Sequence, residues 1–214
     1  MRAIASGNPQ AGHPYPFMIH PNFHKPPAAL IFDMDGTMVD SMPFHRQSWV
    51  TFAQRYGVSM DLADLMRRTT GRTGTECMGE LFGRPMTAEE ALPYVQEKES
   101  LYRDLFTPVF AEVRGFKAFA DQARTMSLKI GVGTAGDRDN IAFVMKHLAM
   151  AHAPEVIVGG DEGLPGKPES AIFLRAAHAM NTPASASIVF EDALPGIEAA
   201  RHACRGHLHH PQRR

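Results

Sequence analysis

Two aspartates one residue apart, Asp33 and Asp35, stand at the end of the apolar run Ala28 to Phe32 and are followed by Gly36. Glycine lets the backbone turn tightly there and bring both carboxylates to one side of a loop. A carboxylate with an ordinary pKa of about 4 is ionised at neutral pH and can attack phosphorus, but its charge repels a phosphate dianion unless a cation intervenes. Such a pair therefore implies a hard divalent metal held by oxygen, and Mg²⁺ is the usual choice beside substrate phosphates. Taken alone, Asp-Met-Asp-Gly-Thr reads equally as a surface turn with Asp-Gly at its tip. Met34 and the apolar strand before it argue against the surface turn.

Three further segments carry groups suited to the same chemistry. Thr134 follows Ile130-Gly-Val-Gly and offers a hydroxyl and, with Ala135, backbone N–H groups to a phosphoryl oxygen; its other reading is a helix N-cap. Lys167 lies in Gly166-Lys-Pro-Glu, where Pro168 is expected to open a helix and hold the lysine in front of it; its other reading is a solvated lysine. Glu191-Asp192 closes the apolar run Ser187 to Phe190, and two acids at a strand end are costly unless they face a cation. Capping of the next helix is their alternative.

Each segment needs a strand end to deliver it. Short apolar runs at Ala28 to Phe32, Leu128 to Val132, Glu155 to Val158 and Ser187 to Phe190 suit buried parallel strands, with helical stretches at Gly115 to Thr125, Asn140 to Ala149 and Glu169 to Met180 between them. Alternation of this kind predicts an α/β fold, a doubly wound parallel sheet, with its core in residues 28–41 and 111–203. Residues 42–110 interrupt it with amphipathic segments and no strand signal. They are expected to form an all-helical insertion, a cap above the C-terminal edge of the sheet, where ligands bind in such folds. The Pro-rich stretch 1–27 is expected to be a mobile leader, with Met18 as an alternative start, and residues 204–214 an irregular tail. There is no internal repeat.

Composition narrows the function class. With 44% hydrophobic and 21% charged residues in a 214-residue chain, a packed enzyme core is expected. A net charge of -1 leaves no electrostatic footprint for nucleic acid or anionic membrane, so phosphate chemistry must be local to a pocket. Cys77 and Cys204 form neither a disulfide framework nor a thiolate metal pattern, and no apolar run spans a membrane or marks a secretory signal. A soluble enzyme of the reducing cytoplasm is expected.

In order, Phe32-Asp-Met-Asp-Gly-Thr, Gly133-Thr134-Ala135, Gly166-Lys167-Pro168 and Phe190-Glu-Asp-Ala-Leu-Pro-Gly-Ile-Glu-Ala-Ala resemble the four motifs of the haloacid dehalogenase superfamily, over Ala28 to about Ala203. The helical block resembles the cap of its phosphatases related to beta-phosphoglucomutase. The resemblance implies a Rossmann-like core and an Mg²⁺-dependent phosphatase for a small monoester. Asp33 would become the aspartyl phosphate, and Asp35 would protonate the leaving alcohol and then activate water. Thr134, Ala135 and Lys167 would bind the phosphoryl group. The metal would be held by Asp33, the Asp35 carbonyl and Asp192, with Glu191 ligating directly or through water. Asp35 disfavours the dehalogenases and phosphonate hydrolases of the superfamily, which lack it.

Within the cap, His45 falls where the resemblance implies a histidine near the hinge, able to hold Asp35; a helix-surface histidine is the alternative. Arg72 and Lys98 are candidates to reach substrate across the cleft, with solvated charge as the other reading. Related mutases carry an arginine where this chain has Gly74, which favours hydrolysis of a sugar phosphate, polyol phosphate or phosphoglycolate over mutase chemistry. Trp49, Phe52 and Tyr56 recur at helical spacing and read as cap core. His202, His207, His209 and His210 lack the spacing of a metal site and are assigned to the tail. After Ala203 the family's last strand and helix are absent, so a final edge strand is missing, expected at an edge away from the strands bearing Asp33, Thr134 and Asp192. An inactive truncated protein that binds without turnover is the rival from another class, and a receiver-type signalling domain is disfavoured by the motif order.

Overall fold

The structure is a computed structural model that describes residues 26–59 and 61–204. The expected leader and tail lie outside the described residues, except for Pro26, Pro27 and Cys204. His207, His209 and His210 fall outside as well, whereas His202 is in a helix.

The first apolar run forms β1 (Ala29–Phe32), buried along its whole length. It pairs in parallel with β2 (Lys129–Gly133) on one side and β4 (Ser187–Phe190) on the other, and β2 pairs in parallel with β3 (Val156–Val158). The sheet order is β3-β2-β1-β4. A strand in the middle of a parallel sheet must be apolar on both faces, and the period of two sorts its residues accordingly. Leu30 and Phe32 pack with Phe116 and Ala120 of α5 (Phe116–Thr125) and Val144 and Leu148 of α6 (Arg138–Leu148). Ala29 and Ile31 face Phe173 and Ala176 of α7 (Ala171–Ala179) and Ala199 of α8 (Leu194–Cys204).

Among the described residues, four α-helices and no strand lie between β1 and α5: α1 (Met42–Arg55), α2 (Leu62–Thr69), α3 (Gly74–Phe82) and α4 (Ala88–Phe106). Caps set their starts. Thr73 with Glu76 and Thr87 with Glu90 form reciprocal capping boxes, and Asp61 accepts the Asp64 N–H. This block has its own core of Trp49, Phe52, Leu65, Met78, Leu81 and Ala91. Tyr56, expected in that core, is more than a third exposed because its hydroxyl turns outward to Glu97.

Two expectations are corrected. Pro168 does not open a helix: α7 begins at Ala171, because the Glu169 N–H bonds Gly166 O at 3.1 Å and closes a turn around Lys167 and Pro168. The opened sheet edge is also not remote from the chemistry. Among the described residues, β4 is itself an edge strand, and it leads directly into Glu191 and Asp192.

Candidate active site

The parallel sheet brings the four sequence segments to one edge. The Asp33 N–H prolongs the ladder by bonding Phe190 O at 2.9 Å, which leaves its carboxylate at the mouth of the sheet yet nearly sealed. The turn that follows requires Gly36 twice over. Its φ is +83°, and a Cβ there would stand 2.3 Å from Asp192 Oδ2.

Lys167 is buried, and its ammonium donates to Asp33 Oδ1 at 2.5 Å and to Glu191 Oε2 at 2.7 Å. The other oxygen of Glu191 accepts the Ala193 N–H at 3.0 Å, so both of its oxygens are engaged. Asp33, Glu191 and Asp192 each place a carboxylate oxygen within 4.8 Å of the others. Three carboxylates thus face one ammonium. Burial pushes the Asp33 carboxyl up to about 8; Lys167 offsets only part of this, and Glu191 and Asp35 add to it. Asp192 is raised too, by burial and by Glu191. Lys167 moves upward because its two carboxylates outweigh its burial, so it stays charged. The cluster is short of positive charge, and its donors are all oxygen, which fits a hard divalent cation.

Thr134 lies just past β2, buried. Its own N–H bonds Val158 O at 3.0 Å, and its hydroxyl accepts the Gly136 N–H at 3.0 Å. The expected pair of backbone donors is therefore reduced to the Ala135 N–H, with the Thr134 hydroxyl hydrogen beside it. Both residues line the same cavity as Asp33 and Lys167.

Asp35 turns the opposite way from that cluster. Its Oδ1 accepts the Ser41 hydroxyl at 2.7 Å and the Tyr102 hydroxyl at 3.3 Å. Ser41 occupies the N-cap of α1 yet makes no capping bond, because its hydroxyl is given to Asp35. His45 Nε2 stands 3.1 Å from the same oxygen, at ion-pair distance but out of line for a hydrogen bond. The Lys98 ammonium lies 2.9 Å from His45 Nδ1, so the imidazole stands between Lys98 and Asp35. Burial opposes ionisation of Asp35, but His45, Ser41 and Lys98 outweigh it and hold the carboxyl below the usual range.

Helical spacing explains this convergence. His45 and Trp49 share one face of α1, Lys98 and Tyr102 share one face of α4, and the two helices pack together. The His45 and Tyr102 rings stack with centroids 3.7 Å apart, and the Lys98 ammonium lies 4.7 Å from the Trp49 ring centroid. Lys98 is thus a buried residue, not a solvated one, because Glu99 Oε1 at 2.9 Å and the Trp49 face replace its water. Glu99 in turn accepts from Asn140 Nδ2 at 2.8 Å, and Arg103 donates to Asn140 Oδ1 at 2.8 Å. Arg72 stays close to the solvated reading: it lines the cavity, but its guanidinium is paired with Glu80 at 3.3 Å and nearly half exposed.

Ser41, Glu99, Tyr102, Arg103 and Asn140 were not expected from the sequence. Tyr102 follows Lys98 by one helical turn and was legible in principle; Asn140 and Arg103 come from distant segments that only the fold joins. The cleft between block and sheet holds about 120 Å³ and is walled on the block side by Met42, Trp49, Met66 and Met78.

A family model described as haloacid dehalogenase-like hydrolase matches residues 27–203. The chain is 30% identical over 174 residues to validoxylamine A 7'-phosphate phosphatase of Streptomyces hygroscopicus subsp. limoneus, covering 81% of this chain and 80% of that one. It is 27% identical to the fructose-1-phosphate phosphatase YqaB of Escherichia coli, covering 82% and 92%. Among solved structures, beta-phosphoglucomutase from Clostridium difficile superposes with a TM-score of 0.72 at 25% identity, covering 83% of this chain and 81% of that one. With the motif acids and lysine gathered at one sheet edge beneath a helical block, and with the match running from β1 through α8, the chain belongs to the haloacid dehalogenase-like hydrolases, as an enzyme for phosphoric monoesters.

Proposed function

We propose that this enzyme is an Mg²⁺-dependent phosphatase for a small phosphorylated metabolite, a sugar phosphate, polyol phosphate or phosphoglycolate, acting through an aspartyl phosphate on Asp33. The observation that carries this reading is the division of labour between the two aspartates: Asp33 is bonded to Lys167 beside Glu191 and Asp192, while Asp35 is turned onto Ser41, Tyr102 and His45. Asp33 and Asp192, with the Asp35 carbonyl and Glu191, are the groups to hold Mg²⁺. When bound, that ion supplies the positive charge the cluster lacks and lets a carboxylate meet a phosphate dianion.

In the first half-reaction an Asp33 oxygen attacks phosphorus, the bond to the ester oxygen breaks, and the departing alkoxide takes a proton from Asp35, which must acquire it together with the bound ester because His45, Ser41 and Lys98 hold its carboxyl below the usual range. In the second, water attacks the aspartyl phosphate, gives its proton to Asp35, and releases inorganic phosphate and the Asp33 carboxylate. Lys167, the Thr134 hydroxyl and the Ala135 N–H stabilise charge on the transferring phosphoryl oxygens. Hydrolysis is favoured over mutase chemistry by Gly74, where a side chain has no room: a Cβ would sit 2.8 Å from Val95 Cγ1. No described helix is long and apolar enough to cross a membrane. A reducing cytoplasm is supported by two unpaired thiols, of which burial pushes the Cys77 thiol up to about 12.

Phosphate release from a panel of small esters, with and without Mg²⁺, tests the reading. Turnover that requires Mg²⁺ is expected; conversion of one phosphohexose isomer into another without net phosphate release would assign the mutase reaction instead.

A further inference from the structure

The proposed reaction needs a phosphate ester to reach Asp33, yet the Asp33, Lys167 and Glu191 side chains are each at most 9% exposed. The cleft that leads to them lies between the helical block and the sheet, and along one side of it the turn at residues 71–73 meets the loop that carries Lys167. Bare backbone meets bare backbone there. The Lys167 N–H donates to Gly71 O at 2.9 Å, and the Gly166 N–H reaches Glu76 Oε1 at 3.4 Å. A Cβ on Gly71 would stand 3.1 Å from Lys167 Cβ and 3.3 Å from Pro195 Cβ; one on Gly166 would stand 2.4 Å from Glu76 Oε2 and 3.0 Å from Arg72 Cα. Glu76 reaches both sides of the seam. Its Oε2 holds the Thr73 N–H at 2.7 Å and the Thr73 hydroxyl at 2.9 Å, and its Oε1 faces the Lys167 loop.

We propose that Glu76 and the glycines 71 and 166 form the catch that keeps the helical block closed, so that closure over the ester and placement of Lys167 on Asp33 are one event. This rests on the phosphatase reading above. Glu76 is a positioning residue: it touches neither phosphate nor Asp33 and acts through the backbone of the loop that carries Lys167. Two backbone donors on that loop take their partners from the helical block, and both bonds are lost when the seam opens. The glycines are required because a side chain on either would hold the two backbones apart.

Two variants separate the catch from helix stability. Glu76→Ala removes the catch but also half of the α3 capping box, whereas Gly166→Ala keeps the Glu76 carboxylate and crowds the seam, pressing on Glu76 Oε2 and on the Arg72 and Thr73 backbone. Closure is read from Trp49, the single tryptophan of the chain, which lines the cavity. In the wild type, Mg²⁺ with orthovanadate is expected to change its emission. In both variants the change should require on the order of tenfold more orthovanadate, the worth of about one hydrogen bond, with kcat/KM lowered by a similar factor, mainly through KM. A wild-type response in Gly166→Ala, with an effect confined to Glu76→Ala, would reduce Glu76 to a helix cap and overturn the catch. A wild type that neither hydrolyses esters nor answers orthovanadate would overturn the phosphatase reading and the catch together; a hydrolytically active wild type with wild-type-like variants would overturn the catch alone.

Discussion

At the residue scale, the excess of carboxylates over cations in the Asp33 cluster has consequences of opposite sign for its members. Removing the charge of Asp33 relieves a buried repulsion, whereas removing Lys167 leaves three carboxylates without their only cation. Asp33→Asn is therefore expected to abolish turnover, to leave metal-free stability near the wild-type value below about pH 4, where Asp33 holds its proton folded and unfolded alike, and to exceed it increasingly toward pH 8. Lys167→Ala should also abolish turnover but lower stability by ~3–5 kcal/mol, the usual effect of stripping a buried charge of its partner. Urea denaturation in chelator checks both. The pH dependence follows from the same group. With a folded pKa of about 8 against 3.8 when exposed, Asp33 binds its proton more tightly in the folded state. Metal-free stability should thus fall as pH rises from about 4 to about 8, and the fall should be smaller in Asp33→Asn. The positions of these acids at strand ends were legible in the sequence, because charged residues closing an apolar run are chemically conspicuous. The second oxygen of Glu191 on Ala193 N–H and the diversion of the Ser41 hydroxyl to Asp35 were not, since a capping residue and a functional one look alike in a sequence.

At the element scale, α4 is the strut that joins block to core. Its residues Tyr102 and Lys98 reach Asp35 and His45, and Glu99 and Arg103 grip Asn140 from both ends of its amide. Asn140 is buried in the first turn of α6, the helix that follows the Thr134 turn. Asn140→Ala would leave a carboxylate and a guanidinium without their shared partner and is expected to destabilise the protein by about 1–3 kcal/mol, read as a lower urea midpoint. Arg103→Ala in the same background should then add less than it does alone, because the two share one network. The elements themselves were readable: short continuous apolar runs mark the strands to within a residue or two, and amphipathic spacing marks the helical insertion. The burial of Lys98 was not legible, because its water is replaced by groups from α1 and a helix sequence does not say which charged face will be covered.

At the scale of the whole molecule, the site is closed by the meeting of two layers, and stability is linked to what occupies it. If Mg²⁺ binds the folded cluster and not the unfolded chain, saturating Mg²⁺ should raise the thermal midpoint by mass action, and the rise should shrink in Asp192→Asn. Acid should act on another part of the seam. Asp35 and Glu99 are buried but held below the usual carboxylate range by His45, Lys98 and their hydrogen bonds. Their contribution is complete above the exposed values near 4 and is lost as pH falls through the lower folded ones. The order of motifs disclosed the parallel sheet and its helical insertion. It did not disclose that β4 is an edge among the described residues, because strand order is set by crossover connections that leave no local signature.

The most direct test of the central claim is to mix enzyme, Mg²⁺ and a hydrolysed ester, quench in acid on the millisecond scale, and map covalent phosphate by mass spectrometry after peptic digestion. Phosphate on the peptide bearing Asp33, formed and lost fast enough to account for turnover, is the predicted result. Turnover with no covalent phosphate, or phosphate on any residue other than Asp33, would contradict it.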